Sequence, residues 1–416
     1  MTTLRTRRRA ASTVYLGGAL ALALIGCGEE NPSNGEPQGN QTDLSTDLSV
    51  DTSDTQTSTL GCSEPVGAFS LGTISLGDDG LSEPFTFEIP SCARSFSLEI
   101  DGEDGPQFAL QRLEAPSGTV LVDADTEADD PLAQFMVPVF RGQLYSLNPV
   151  SGAQGVAVAL VPNNPATTFE TGEWVAQIAA LELLGNSAEP YSGDVQVQVQ
   201  YKVVDTTDEG IIDVNYYFSG ASNLNAANAD SSDYFQAAVT RLREIYGVAG
   251  VSIGEVRYFD IPATFRVIES IDGPGNEMGE MFRLGANGPP GLNFFMIDRF
   301  DIPGGFGSGI GGISGGIPGP VLNPGTVRSG VAVSQTLAAT SSDLAHVMGH
   351  EGGHYLGLFH TVEFFGKEDP LPDTPNGNDR NNLMYPTVGG DSSLTAEQAA
   401  VFHGNPGIEL DAEDSQ

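Results

Sequence analysis

Two kinds of hydrophobic periodicity divide the chain. Between Cys62 and Asp205, short apolar segments alternate with polar positions: Phe85–Ile89, Ser95–Ile100, Thr119–Val122, Val156–Val161 and Val195–Tyr201. Period two over such runs predicts half-buried strands. The Gly, Pro and Asp clusters between them fit the turns of an antiparallel β-sandwich of jelly-roll type. From about Asp208 the pattern becomes mixed α/β. A strand over Ile211–Phe218 precedes a helix that Ser231, Ser232 and Asp233 start and Gly247 ends, with Phe235, Val239, Leu242 and Tyr246 on one stripe. Strands follow near Val251–Ile261 and Gly291–Ile302. The Gly-rich stretch Gly304–Pro320 has no Lys after its glycines, so it is no phosphate loop and reads as a flexible edge or cleft rim. Val327–Gln335 predicts a buried strand, and Thr340–Gly357 a helix started by Ser341, Ser342 and Asp343.

The first residues follow another order. Arg5, Arg7, Arg8 and Arg9 precede an apolar run from about Val14 to Ile25, then Gly26 and Cys27, the sequence of an export signal too short for a comfortable membrane span. Leu24-Ile25-Gly26-Cys27 resembles the lipobox of bacterial lipoproteins, which implies cleavage before Cys27 and a lipid anchor on it. From Gly28 to Leu60 the chain is polar, with too few apolar residues to offset the entropy of ordering, and predicts a flexible tether.

Charge narrows the partners. With 17 basic and 55 acidic residues, a net −38, the chain has no means of neutralising a phosphate backbone, so nucleic acid is not an expected partner. In an oxidising compartment Cys62 and Cys92, 30 residues apart, are expected to pair. The alternative is that one of them ligates a metal in a latent form.

The decisive run is His350-Glu351-Gly352-Gly353-His354-Tyr355-Leu356-Gly357-Leu358-Phe359-His360. His350 and His354 lie one helical turn apart on one face, so both imidazoles reach one cation. Glu351 points toward the open coordination position, where it can take a proton from bound water. Gly357 can adopt the positive φ that ends the helix and swings His360 back as third ligand. Three protein ligands leave a fourth position for water, as in a catalytic zinc site. His346, one turn earlier, is read as a bystander and His403 as a surface residue. Gly352 and Gly353 cost about 1 kcal/mol each against Ala in a helix, which signals either close packing or a tolerated weakness.

This run resembles the extended zinc motif of the metzincin metallopeptidases, and its surroundings are most similar to the pappalysin branch. The matching pieces are His360-Thr361, Leu371-Pro372-Asp373-Thr374-Pro375, Gly312-Ile313 to Pro318-Gly319, Gly330-Val331-Ala332-Val333 and Asn382-Leu383-Met384-Tyr385-Pro386. The last resembles the Met-turn, with Met384 beneath the zinc-binding imidazoles. Tyr385 follows Met384 directly, more as in matrixins than in pappalysins, and is the position offered for stabilising the transition state. The cysteine pairs of the pappalysin catalytic domain are missing. Related enzymes often bind calcium in loops comparable to that of Glu368, Asp369, Asp373 and Asp379; solvated surface charge is the simpler reading of these residues.

The expectation is thus a signal peptide over 1–26, a tether over 27–60, an all-β sandwich accessory domain over 61–206, and an α+β metzincin-like domain over 207–416 with a mixed twisted sheet and an active-site helix. The resemblance implies a zinc endopeptidase of extracellular proteins, held by Cys27 at the bacterial cell envelope. The alternative is a non-catalytic surface-binding lipoprotein in which the sandwich is the functional module.

Overall fold

The computed structural model describes residues 62–125, 146–184, 187–203, 209–303, 309–362, 368–372, 374, 380–387 and 392–409. Cys27, the signal and tether segments, Asp373 and Asp379 lie outside them.

The described residues of the first part hold ten strands: β1 (Val66–Leu76), β2 (Phe85–Ile89), β3 (Ser95–Asp101), β4 (Gln107–Glu114), β5 (Val120–Asp123), β6 (Ala153–Gln154), β7 (Val156–Val161), β8 (Gly172–Leu184), β9 (Ser187–Pro190) and β10 (Gly193–Lys202). They form two antiparallel sheets, one in the order β1-β10-β3-β7 and one in the order β2-β8-β4-β5. One apolar cluster draws on both, with Phe96, Leu98, Val197 and Val199 from the first sheet and Phe87, Leu110, Trp174 and Ile178 from the second. The Phe96 ring meets the Trp174 indole edge-on at 5.1 Å. Cys62 and Cys92 are joined in a disulfide, so neither thiol is available to a metal.

The second part is mixed α/β: β11 (Gly210–Phe218), α1 (Asp233–Gly247), β12 (Val251–Asp260), β13 (Val267–Ile268), α2 (Glu277–Arg283), β14 (Leu292–Ile297), β15 (Arg299–Phe300), β16 (Gly312–Ser314), β17 (Val331–Ser334), α3 (Ser341–Tyr355) and α4 (Ala396–Gly404). Its main sheet runs β12-β11-β14-β17-β16, with β16 antiparallel at one edge and the other four strands parallel. The central strand β14 is covered on both faces, and its Phe294–Ile297 reads as a continuous apolar run. On one face, Tyr216, Phe294, Val331 and Val333 pack with Phe235, Leu242 and Tyr246 of α1 and Leu344 and Met348 of α3. On the other, Tyr217, Phe295 and Ile297 pack with Met278, Met281 and Phe282 of α2.

α1 begins at Ser232, whose side chain accepts from the Phe235 amide. α3 begins at Ser341, within the expected span Thr340–Gly357, but the cap is not one of the serines. Thr340 is its cap, in a reciprocal capping box with Asp343. The Gly-rich stretch, expected as a flexible edge or cleft rim, contributes the edge strand β16 and packs closely over its described residues 309–320. Gly312 lies against Glu351, and Gly319 against the Tyr355 ring. Both belong to α3.

Candidate metal centre

α3 places His350 and His354 one turn apart, with ring centroids 4.8 Å apart and nearly perpendicular. The helix stops at Leu356, and Gly357 takes φ +119°, a conformation that strains any residue with a Cβ. A Cβ there would also lie 3.1 Å from Leu160 and 3.3 Å from Val401. The reversal returns His360 to the two helical imidazoles, with ring centroids 4.6 Å from His354 and 5.2 Å from His350. One ligand atom from each of the three histidines lies within 4.8 Å of the others.

Hydrogen bonds fix which nitrogens face inward. His350 Nδ1 is 2.7 Å from the Leu383 carbonyl and His354 Nδ1 is 2.7 Å from the Leu358 carbonyl. A carbonyl only accepts, so each Nδ1 carries the proton and each Nε2 turns its lone pair to the common point. Burial, reinforced by the neighbouring imidazoles, depresses the pKa of His350 to about 3 and that of His354 well below its ordinary value. Both rings are therefore neutral, the form that binds a metal.

The spacing fits a specific ion class. Nε2 of His360 is 3.3 Å from Nε2 of His350 and 3.2 Å from Nε2 of His354. Tetrahedral zinc with bonds of about 2.0–2.1 Å has ligand atoms about 3.3–3.4 Å apart. The three residues fit zinc in ligand type and His360 in its separation from the other two, and His350 and His354 fit it in tautomer as well.

Glu351 follows His350 in the helix and is 5% exposed. Burial is the main influence on its carboxyl and raises its pKa to about 8, opposed by a hydrogen bond from the Ser314 backbone. Its Oε2 is buried without a hydrogen-bond partner among the described residues. The contact with β16 requires Gly312, where a Cβ would fall 2.5 Å from the Glu351 Cγ.

The turn at residues 382–384 closes the site from below. The Leu383 carbonyl faces His350, the Met384 carbonyl accepts from Thr361 next to His360, and the Met384 sulfur fills the space beside Gly353. Met384 and Leu383 are fully buried. Tyr385 is half-buried, with the Arg380 guanidinium 5.5 Å above its ring.

His346 stays outside the triad. It is buried, with Nδ1 2.8 Å from Ser392 Oγ and its ring 6.3 Å from that of His350. His403, expected at the surface, is 5% exposed. Its Nε2 lies 2.8 Å from the Ala249 carbonyl, because α4 docks between the two parts of the chain. In the acidic loop Glu368 is exposed, and Asp369 accepts from the Leu371 amide and the Thr374 hydroxyl. Sequence reasoning missed Gln398 and Tyr246 as supports of the site. A signal for Gln398 existed in Thr395-Ala396-Glu397-Gln398, a capping-box pattern.

No family model matches the chain, and no curated protein matches it. Among solved structures, metalloproteinase-II from Bacteroides fragilis is 12% identical, with 50% of this chain and 61% of that one covered at a TM-score of 0.30. An archaemetzincin from Methanopyrus kandleri is 15% identical, with 50% of this chain and 93% of that one covered at a TM-score of 0.25. The chain thus spans about three fifths of the first of these. Likeness at this level is silent on chemistry. The triad and Glu351 must speak for themselves.

Proposed function

We propose that the chain is a zinc-dependent endopeptidase of the metzincin type, with His350, His354 and His360 as ligands, Glu351 as general base and Met384 as the residue of the Met-turn. The carrying observation is that the fixed Nε2 lone pairs of His350 and His354, joined by His360 from beyond the helix, lie beside Glu351 of the same helix, whose buried Oε2 has no hydrogen-bond partner among the described residues. Bound zinc supplies a Lewis acid that polarises a carbonyl and acidifies a water. Glu351 is placed to take a proton from an attacking water and to give it to the leaving amine. A cation held by the triad favours the ionised form of Glu351, so the base is charged when it is needed.

A peptide substrate is supported by the sheet. Among the described residues β16 pairs only with β17 and forms a sheet edge beside Glu351, and an extended chain can add to such an edge through its own backbone. Tyr385, beside Met384, carries the Arg380 guanidinium over its ring and is not given a catalytic role. The two antiparallel sheets fit a β-sandwich beside this centre, and the sequence around Cys27 supports export and lipid anchoring at a bacterial cell envelope.

Metal analysis with a cleavage assay tests this reading. The purified protein is expected to hold about one zinc per chain, to lose it on His350→Ala or His354→Ala, and to cleave an unstructured protein such as casein. Full zinc retention in both variants would remove the ligand assignment. A zinc-loaded protein that cleaves no peptide bond would remove the activity.

A further inference from the structure

The triad is held by a turn, and the turn is itself held by two buried amides. Asn382 and Gln398 are 1% and 0% exposed. Asn382 Nδ2 donates to Gln398 Oε1 at 2.9 Å, and Gln398 Nε2 donates back to Asn382 Oδ1 at 3.1 Å. Each oxygen accepts a second bond: Asn382 Oδ1 from the Met384 amide at 2.9 Å, Gln398 Oε1 from the Thr395 amide at 3.0 Å. The pair therefore joins the first turn of α4 to residues 382–384 in one continuous network.

That segment touches each ligand or its neighbour. The Leu383 carbonyl sets the His350 ring and tautomer, the Met384 carbonyl holds Thr361 beside His360, and the Met384 sulfur lies against Gly353 beside His354. A carbonyl that orients a ligating imidazole also tunes its affinity, and groups of this kind are worth about 10–100-fold in metal binding.

We propose that Gln398, acting through Asn382, is a positioning residue for the metal centre, setting the backbone of residues 382–384 against which the three imidazoles are aligned. This rests on the zinc reading above. In the alternative, the amide pair only stabilises the docking of α4. Thr395 separates the two, because its hydroxyl accepts from the Gln398 amide at 3.2 Å and so stabilises the same helix without touching the turn.

The experiment compares wild type, Gln398→Met and Thr395→Val in the full chain, each checked for folding by circular dichroism. Zinc affinity is measured by chelator competition, and the visible spectrum of the cobalt(II)-substituted protein reports ligand geometry. Gln398→Met should weaken zinc about 10–100-fold and alter the cobalt spectrum, while Thr395→Val stays within about 3-fold of wild type. Should Gln398→Met not fold, Gln398→Glu keeps the capping oxygen but replaces the amide donor, and zinc should weaken in the same direction. Unchanged affinity in the folded Gln398 variant, or an equal loss in Thr395→Val, would overturn the proposal while leaving the zinc reading intact. A wild type that binds no zinc would overturn both.

Discussion

At Gly352 a Cβ would fall 2.1 Å from the Tyr246 hydroxyl and 3.2 Å from Leu292; at Gly353 it would fall 2.6 Å from the Met384 sulfur. The sequence left two readings of this glycine pair open, and the packing decides for close approach. Its signal was hidden because the three obstructing side chains come from remote elements. Alanine at 352 gains about 1 kcal/mol of helix propensity but overpacks a fully buried contact, at a typical cost of about 1–3 kcal/mol. Gly352→Ala should therefore lower stability in denaturant unfolding. The loss should shrink when Tyr246→Phe removes the hydroxyl, a coupling that a double-mutant cycle reads directly. An equal loss in both backgrounds would place the cost elsewhere.

The elements divide by how local their cause is. α3 was legible because its histidine spacing and start signals are contained within one segment, and α1 because its stripe of Phe235, Val239, Leu242 and Tyr246 is fully buried. β8 escaped notice although it is 13 residues long, since Ala176, Ala179 and Ala180 give a weak apolar signal. β1 escaped because its register shifts between Ser70 and Gly72, which interrupts the alternation. β16 is three residues in a Gly-rich run, and only its ladder with β17 makes it a strand. Likewise, the triad was readable from its offsets, whereas the alignment by residues 382–384 and Gln398 depends on contacts between separate segments.

Across the whole molecule the two parts are joined more closely than separate sequence patterns suggest. β7 reads Val156-Ala157-Val158-Ala159-Leu160-Val161 and is buried on both faces: Ala157, Ala159 and Val161 join the β cluster, while Leu160 joins the α/β core and abuts Gly357. This corrects the expectation of a half-buried strand of period two: six apolar residues without alternation are the sign of a second covered face. The same sheet sends Ser95 to the Gly404 carbonyl at 2.6 Å, Lys202 to the His403 carbonyl at 2.6 Å, and Glu99 to the Asn323 amide at 2.6 Å. Glu99 is 1% exposed, and desolvation lifts its pKa to about 7 against the opposing bond from Asn323. A carboxyl raised on folding binds its proton more tightly in the native state, so its contribution is complete below about pH 4.5 and fades as pH rises through about 7. Glu99→Gln cannot ionise. In metal-free protein its stability relative to wild type should climb by at most about 1.4 kcal/mol per pH unit across that window and level off above it, and a pH-independent difference in denaturant unfolding would contradict the burial of this carboxyl. The central claim is the division of labour between the triad and Glu351, and its most direct test is the rate of casein hydrolysis by wild type and Glu351→Gln at equal zinc content. The expected result is a loss of at least about 10²-fold with zinc fully retained; equal rates in the two zinc-loaded proteins would contradict the account.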